Sequence, residues 1–251
     1  MFLRKSFMMI ALTLSLFACA KKEALRHPPQ FKPYEGIVTV EALRGSLIFN
    51  DIKSIKSEVT VGFLKEGKTV DIEGIVAYMM PESLNIRFFG PLGLTAAEVI
   101  LLGNYLQVYV PFENTLYEGE IPHLLTPELP SSETIYSMAE TDEGYTLNEF
   151  CQQKETMSLI RQYTFSRDTL LNTGISVYDK EGKFADVLFS DFSDSKLPMT
   201  VNVSLSNGFV MDIRLIEPQV NSKVSEELFK LKSHEDREVK PLKALFKKGK
   251  P

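Results

Sequence analysis

Residues 83–110 of the chain read SLNIRFFGPLGLTAAEVILLGNYLQVYV. Apolar and polar residues alternate from Leu84 to Phe88, which is the pattern of a β-strand with one buried face. Two further apolar runs, 96–102 and 105–110, are separated only by Gly103-Asn104, a pair typical of a two-residue hairpin turn. The stretch therefore predicts three successive antiparallel strands.

The same alternation continues on both sides of this stretch. It covers 55–64 and 69–79 upstream, and 145–150, 156–165, 170–178, 183–190, 199–206 and 209–216 downstream. Turn signals at Asp179–Gly182 and Asn207-Gly208 separate strands in the downstream half. About a dozen short strands joined mostly by hairpins predict one antiparallel sheet that is large enough to curl.

Three segments interrupt the strand pattern. Residues 37–49 carry Val40, Leu43 and Leu47 at helical spacing, which favours a short helix, although the β-branched start would also suit a strand. Short helices are also predicted within 131–140 and 222–231. We find neither a repeat period nor an internal linker, so the sequence predicts a single folded domain.

Composition excludes several classes of protein. The 251 residues include 28 basic and 33 acidic side chains, and this net charge of −5 argues against a nucleic-acid partner. Two cysteines and three histidines support neither a disulfide scaffold nor a His-rich metal site. The common catalytic motifs are absent, and the S-x-x-K match at Ser193–Lys196 lies in a polar turn without its partner motifs. We therefore expect no enzyme activity, no metal and no cofactor.

The first residues resemble a bacterial lipoprotein signal. Arg4 and Lys5 precede an apolar stretch, 7–17, that is too short to span a bilayer comfortably. The stretch leads to Ala18 and Cys19, an ending that resembles a lipobox. Residues 1–18 are then a signal peptide, and Cys19 becomes the acylated first residue, carrying palmitate or a similar chain. The alternative is an ordinary signal peptide with a chance cysteine.

The residues after Cys19 predict where the protein is held. Residue 20 is alanine, whereas an aspartate there commonly marks retention at the inner membrane, so we expect anchoring at the periplasmic face of the outer membrane. More than one acyl chain is enough for stable attachment. Residues 19–35 carry several prolines and little periodicity, which predicts a tether. Cys151 is expected to be a buried, small apolar residue.

The C-terminal segment 233–251 is predicted to be a basic tail. Its final dozen residues contain Lys240, Lys243, Lys247, Lys248 and Lys250, interleaved with Leu242, Leu245 and Phe246. Such a tail would be attracted to anionic lipid head groups or lipopolysaccharide phosphate. A disordered, solubilising tail is the alternative.

The loop Phe88–Gly93 resembles a known family. A hydrophobic Pro-Leu-Gly loop between one strand and a returning strand, here Glu98–Ile100, is similar to that of the outer-membrane lipoprotein receptor of the Lol sorting pathway (LolB). In the second half, the order of the turn at Asp179–Gly182, the Val187–Phe192 strand and the last helix is similar to the lipoprotein carrier (LolA). The resemblance covers residues 36–232. It implies a mainly β (α+β) fold, in which a curved antiparallel sheet forms an unclosed β-barrel with a hydrophobic cavity and a short helical lid.

The resemblance also implies a function. It indicates an anchored protein that binds the acyl chains of lipoproteins, or another amphiphile, for lipoprotein localisation, with a periplasmic carrier protein as a further partner. Pro91, Leu92 and Gly93 would form a membrane-insertion loop. The fixed φ of Pro91 and the permissive Gly93 are compatible with an outward Leu92, although a leucine that folds back onto the core is equally compatible.

Strands with bulky residues on both faces are consistent with a lidded cavity. Ile75 and Met79, for example, lie opposite Val76 and Tyr78. The residues predicted to line the cavity are Ile72, Val76, Ile86, Phe88, Val99 and Val108. The alternative is a filled sandwich core, which would suit a structural or assembly lipoprotein that docks a protein partner.

Overall fold

The structure, a computed structural model, describes residues 29–48, 50–65, 68–81, 83–121, 134–153, 156–206, 208–231 and 236–247. The strands in these residues are β1 (Ser54–Lys65), β2 (Lys68–Met79), β3 (Ser83–Phe89), β4 (Thr95–Leu102), β5 (Tyr105–Val110), β6 (Thr115–Glu120), β7 (Thr134–Thr141), β8 (Gly144–Gln153), β9 (Thr156–Ser166), β10 (Asn172–Asp179), β11 (Gly182–Phe192), β12 (Pro198–Leu205), β13 (Val210–Val220) and β14 (Glu238–Pro241). The helices are α1 (Val40–Gly45) and α2 (Lys243–Lys247), with 3-10 turns at Pro91–Gly93, Pro111–Glu113 and Glu226–Phe229.

The fourteen described strands form one sheet in the order β14-β6-β5-β4-β3-β2-β1-β13-β12-β11-β10-β9-β8-β7. Neighbouring strands are antiparallel, except that β14 runs parallel to β6. The pairing of β1 with β13 joins the two halves of the chain side by side. Strands β14 and β7 form the two edges, so the sheet is not closed. This architecture confirms the predicted mainly β fold, an unclosed barrel with a short helical lid.

The strand register gathers apolar residues on one face of the sheet. Val76 pairs with Ile86, Ile86 with Val99, and Val99 with Val108, so one row of β-branched residues crosses four strands. We call the face that carries this row the inner face. The predicted Gly103-Asn104 hairpin is confirmed, since Leu102 pairs with Tyr105 across it.

The predicted helix within 37–49 is confirmed as α1. The Thr39 hydroxyl caps its first turn and accepts a hydrogen bond from the Ala42 backbone N–H at 3.2 Å. Leu43 is fully buried and packs on the inner face with Leu147 and Phe165. Because α1 covers this end of the sheet, it supplies the short helical lid.

Two helix predictions are wrong. The prediction for 131–140 fails because residues 134–141 form β7, whose backbone pairs with β8 along its whole length. Tertiary pairing overrides the helix-forming Met138, Ala139 and Glu140 there. The prediction for 222–231 fails because only Glu226–Phe229 is helical, as a single 3-10 turn. The prolines between 122 and 130 lie outside the described residues.

Part of the segment predicted as a basic tail belongs to the sheet. Strand β14 extends the edge at β6, and Leu242 is buried with Val108 and Tyr117. Lys240 forms an ion pair with Glu238 at 2.7 Å. The alternative of a disordered tail therefore does not hold for residues 236–247. The predicted signal peptide, Cys19 and most of the tether lie outside the described residues.

Candidate functional site

A cavity of about 240 Å³ lies against the inner face. Residues from the N-terminal half of the sheet that line it include Ile55, Val59, Val76, Tyr78, Ile86 and Leu101. Residues from the C-terminal half include Ile175, Val187, Phe189, Val201, Val203 and Ile213. All lining side chains are apolar except for the Tyr78 hydroxyl, so the cavity offers apolar contact and little else.

The size of the cavity follows from the residues that line it. Short β-branched side chains dominate the inner face, and they do not reach far enough to fill the space between the two halves of a curled sheet. An engineered apolar cavity of about 150 Å³ stays dry and binds benzene. A larger cavity of the same character is therefore suited to an apolar ligand.

The segment that follows α1 covers one end of the cavity. Ile52 is buried with Ile55, Tyr78 and Leu197, and Ile48 packs against the same cluster. The segment is fixed to α1, because the Asn50 side-chain amide donates to the Arg44 carbonyl at 2.6 Å.

The structure brings the six predicted cavity residues to the inner face, but it separates them. Val76 and Ile86 line the cavity. Ile72, Phe88 and Val99 do not line it, although they pack in the same apolar cluster as Val76 and Ile86.

Val108 lies further along the sheet, under Leu242 of the C-terminal segment. A ligand-binding role for the predicted set stays a prediction.

The sequence predictions missed the C-terminal half of the cavity lining. The alternation in 183–190, 199–206 and 209–216 was visible as a strand pattern. It did not reveal that these strands face the N-terminal half across a shared cavity, because that depends on the β1–β13 pairing.

A buried polar network lies on the inner face beside the cavity. The Glu149 carboxylate accepts hydrogen bonds from the Tyr163 hydroxyl at 2.8 Å and from the Tyr136 hydroxyl at 3.2 Å. Arg161 Nη1 lies 3.9 Å from the same carboxylate, and both charged side chains are almost fully buried. Burial raises the pKa of Tyr163, while Arg161 opposes the shift and Glu149 adds to it. The tyrosine therefore stays protonated and remains a donor.

The network also contacts the lid. The Arg44 guanidinium of α1 lies 4.6 Å from the centre of the Tyr136 ring, within the range of a cation–π interaction. The sequence held a signal for this network, since Glu149 shares its strand face with Tyr145 and Leu147.

The Pro91–Gly93 loop holds Leu92 in solvent. The Leu92 side chain is 97% exposed, and its backbone is left-handed with φ of 64°. The Gly90 backbone N–H donates to the Leu94 carbonyl at 2.7 Å and closes the loop. Leu92 thus contributes nothing to the core. The alternative, in which its side chain folds back onto the core, is wrong. A role in membrane insertion stays a prediction.

The other candidate positions have structural roles. Ser193 Oγ accepts a hydrogen bond from the Leu197 backbone N–H at 3.2 Å, and it lies 2.9 Å from Ser195 Oγ, so it stabilises the turn before β12. Cys151 is 5% exposed. Among the described residues, no cluster of three His, Cys, Asp or Glu side chains is arranged to hold a metal ion. Within that same part of the chain, no helix combines the length and the apolar character needed to cross a membrane.

Several crystal structures are similar to this fold. A LolA superfamily protein from Nitrosomonas europaea has a TM-score of 0.55 at 10% identity, covering 77% of this chain and 98% of that one. A domain named as an outer membrane lipoprotein-sorting protein, from Vibrio parahaemolyticus, has a TM-score of 0.52 at 9% identity, covering 70% and 88%. A DUF1329 family protein from Desulfovibrio piger has a TM-score of 0.52 at 14% identity, covering 76% and 95%.

These likenesses confirm the predicted resemblance at the level of the fold. Identities of 9–14% establish shared architecture and leave function to be argued from the site. The sequence itself matches no protein-family model and no curated protein.

Proposed function

We propose that this chain is a lipid-anchored carrier-type protein that binds the acyl chains of lipoproteins, or another amphiphile, in the inner-face cavity. The observation that carries the proposal is the cavity's lining, which is apolar and contributed by both halves of the sheet. Burial of an acyl chain is worth about 0.8 kcal/mol per methylene. A lining with so few polar groups selects for apolar chains rather than for a particular head group.

The proposed location is the periplasmic face of the outer membrane. Acylated Cys19 would hold the protein there, and a periplasmic carrier protein would deliver the lipoprotein. The protein would then bind the acyl chains and release them into the bilayer, which requires no bond to be made or broken. The fold it shares with a lipoprotein-sorting domain supports this role.

The proposal predicts that Val76→Glu weakens ligand binding. Val76 lines the cavity and is 8% exposed, so the variant places a carboxylate in an apolar space. We expect the affinity for a fluorescent apolar probe to fall by about tenfold or more. Mass spectrometry of lipid that copurifies with the unaltered chain identifies the natural ligand.

Two further variants control for this experiment. Val70 lies on the same strand as Val76 but outside the cavity, and it is 43% exposed. The Val70→Glu variant should therefore bind the probe normally. Val76→Phe fills the cavity without a charge and should weaken binding if the fold survives. Undiminished binding by folded Val76→Glu and Val76→Phe variants would contradict the proposal. Absence of both probe binding and copurified lipid in the unaltered chain would instead favour a structural lipoprotein that docks a protein partner.

The insertion role of the loop predicts a delivery defect in Leu92→Glu. Because Leu92 is 97% exposed, the free energy of unfolding should change by less than about 0.5 kcal/mol. The transfer of a leucine into lipid is worth about 1.5–3 kcal/mol, so release of bound lipoprotein into liposomes should slow by about tenfold or more. The measurement is the transfer rate from the purified protein to the liposomes.

Leu102→Glu provides the matched control for this variant. Leu102 is 43% exposed in the hairpin between β4 and β5, at the opposite end of the strands. It should deliver lipoprotein at the normal rate. Normal delivery by a stable Leu92→Glu variant would remove the insertion role.

A further inference from the structure

A second turn has the same construction as the Leu92 loop. Pro111–Glu113 is a 3-10 turn that begins with proline and places a large apolar residue next, as Pro91–Gly93 does. Phe112 is 74% exposed, which is unusual for a phenylalanine. The two turns therefore present Leu92 and Phe112 to solvent in similar ways.

Strand register puts both turns at one end of the sheet. Phe89 pairs with Thr95 beside the first turn, and Val110 pairs with Thr115 beside the second. Strands β4 and β5 connect the two turns and pair with each other in antiparallel fashion. Glu98, near the start of β4, therefore lies beside Tyr109, near the end of β5. We call Pro91–Gly93 and Pro111–Glu113 together the rim turns.

The Phe112 turn is fixed in place by hydrogen bonds. The Asn114 backbone N–H donates to the Pro111 carbonyl at 3.0 Å, and its side-chain amide donates to the Asp236 carbonyl at 3.0 Å. The Tyr109 hydroxyl donates to the Asn114 side-chain oxygen at 3.2 Å. Asn114 is left-handed, with φ of 45°. These contacts hold an apolar side chain in water, where it contributes nothing to the stability of the isolated fold.

The geometry points to a bilayer as the partner of the rim turns: we propose that Phe112 inserts into lipid together with Leu92, so that this end of the sheet contacts the membrane at two points. The proposal deepens the proposed function, on which its biological role rests. Leu92 and Phe112 project from separate turns. A fluid acyl layer accommodates separate protrusions, whereas a protein partner would need a closely fitting surface for each.

The charge of the rim turns fits a lipid partner. Glu113 is the one ionisable residue in the two turns. Its carboxylate accepts a hydrogen bond from the Tyr117 hydroxyl at 2.9 Å, which holds the charge towards the sheet. Insertion of Leu92 and Phe112 therefore buries no unpaired charge.

The tether is long enough for the rim turns and the lipid anchor to share one bilayer. The Tyr34 backbone N–H donates to the Asp168 carbonyl at 2.7 Å. The Phe31 ring packs edge-on against Phe192. These contacts place residues 31–34 at the end of the strands opposite the rim turns. About a dozen residues separate Cys19 from Phe31, and a fully extended chain of that length reaches about 40 Å. That distance matches the length of a twelve-residue strand such as β1, about 40 Å.

The test uses the full chain bound to vesicles of phosphatidylethanolamine and phosphatidylglycerol that contain a lipid with a nitroxide on its acyl chain. Phe112→Cys is labelled with a fluorophore, and Leu102→Cys, at the opposite end, is the control. Cys151 is 5% exposed, and the sulfur of Cys19 is blocked in the acylated chain, so the introduced thiol is labelled selectively. We expect the Phe112 label to lose about half or more of its fluorescence, and the Leu102 label to lose almost none.

Two further variants separate the possible causes of quenching. Leu92→Ser should reduce quenching of the Phe112 label, because both turns insert together, whereas insertion driven by the fluorophore alone would not depend on Leu92. Val76→Glu should leave quenching unchanged, because the measurement does not require an occupied cavity. Undiminished probe binding by the Val76→Glu variant, with persistent quenching of the Phe112 label, would overturn the proposed function alone. An unquenched Phe112 label, equal quenching of both labels, or independence from Leu92 would overturn the inference.

Discussion

Replacing Glu149 with alanine is expected to lower the free energy of unfolding by about 3–5 kcal/mol. Glu149 is 0% exposed and Arg161 is 2% exposed, so the variant leaves a guanidinium in the interior without its carboxylate. The hydroxyls of Tyr136 and Tyr163 also lose their acceptor. Urea denaturation followed by circular dichroism measures the change, with an unaltered slope as the sign that the transition remains two-state.

The double variant Glu149→Leu/Arg161→Met tests the cause of this loss. It removes both buried charges and fills their space with apolar atoms, so it should recover most of the lost stability. Glu140→Ala is the surface control, because Glu140 pairs with Arg167 at 2.7 Å in solvent and should leave stability almost unchanged. A loss below about 1 kcal/mol for Glu149→Ala would show that the network is not structural.

Replacing Cys19 with alanine is expected to abolish stable attachment to the membrane. The acyl chains are the strong membrane attachment that the sequence predicts. Because even one acyl chain binds a membrane only marginally, a protein without acyl chains should not stay attached. Labelling with a radioactive fatty acid should fail in the variant. The protein should accumulate as an unprocessed precursor or appear in the soluble fraction, whereas the unaltered chain sediments with membranes.

Cys151→Ala is the matched control for this experiment. Cys151 is buried on β8, so the variant should incorporate label and sediment normally. Incorporation of label by Cys19→Ala, together with normal sedimentation, would contradict the lipobox interpretation. If only the Cys151→Ala variant lost the label, the acylated residue would be Cys151 rather than Cys19.

Features that depend on a few neighbouring residues could be predicted from the sequence. The Gly103-Asn104 hairpin follows from turn chemistry, and the apolar faces of β2 and β3 follow from alternation. The helix at Val40–Gly45 follows from the spacing of its apolar residues. These signals act within one or two elements, so an isolated stretch of sequence contains them.

Contacts between distant elements could not be predicted in this way. The pairing of Ile55 with Val220 joins residues from the two ends of the domain and brings the two halves of the cavity lining together. Local alternation determines which face of a strand is apolar, but it does not determine which other strand lies beside it.

The sequence by itself determined the period of the strands, the hairpin turns and the residue types available to a cavity. The tertiary structure decided that residues 134–141 pair as a strand and that Glu149 lies against Arg161 in the protein interior. It also decided that Leu92 and Phe112 lie at the same end of the sheet. The physical reason is that burial, charge pairing and exposure depend on long-range packing. A side chain's own neighbours in sequence fix its direction from the strand, whereas strands far away along the chain decide whether that direction leads into the core or into water.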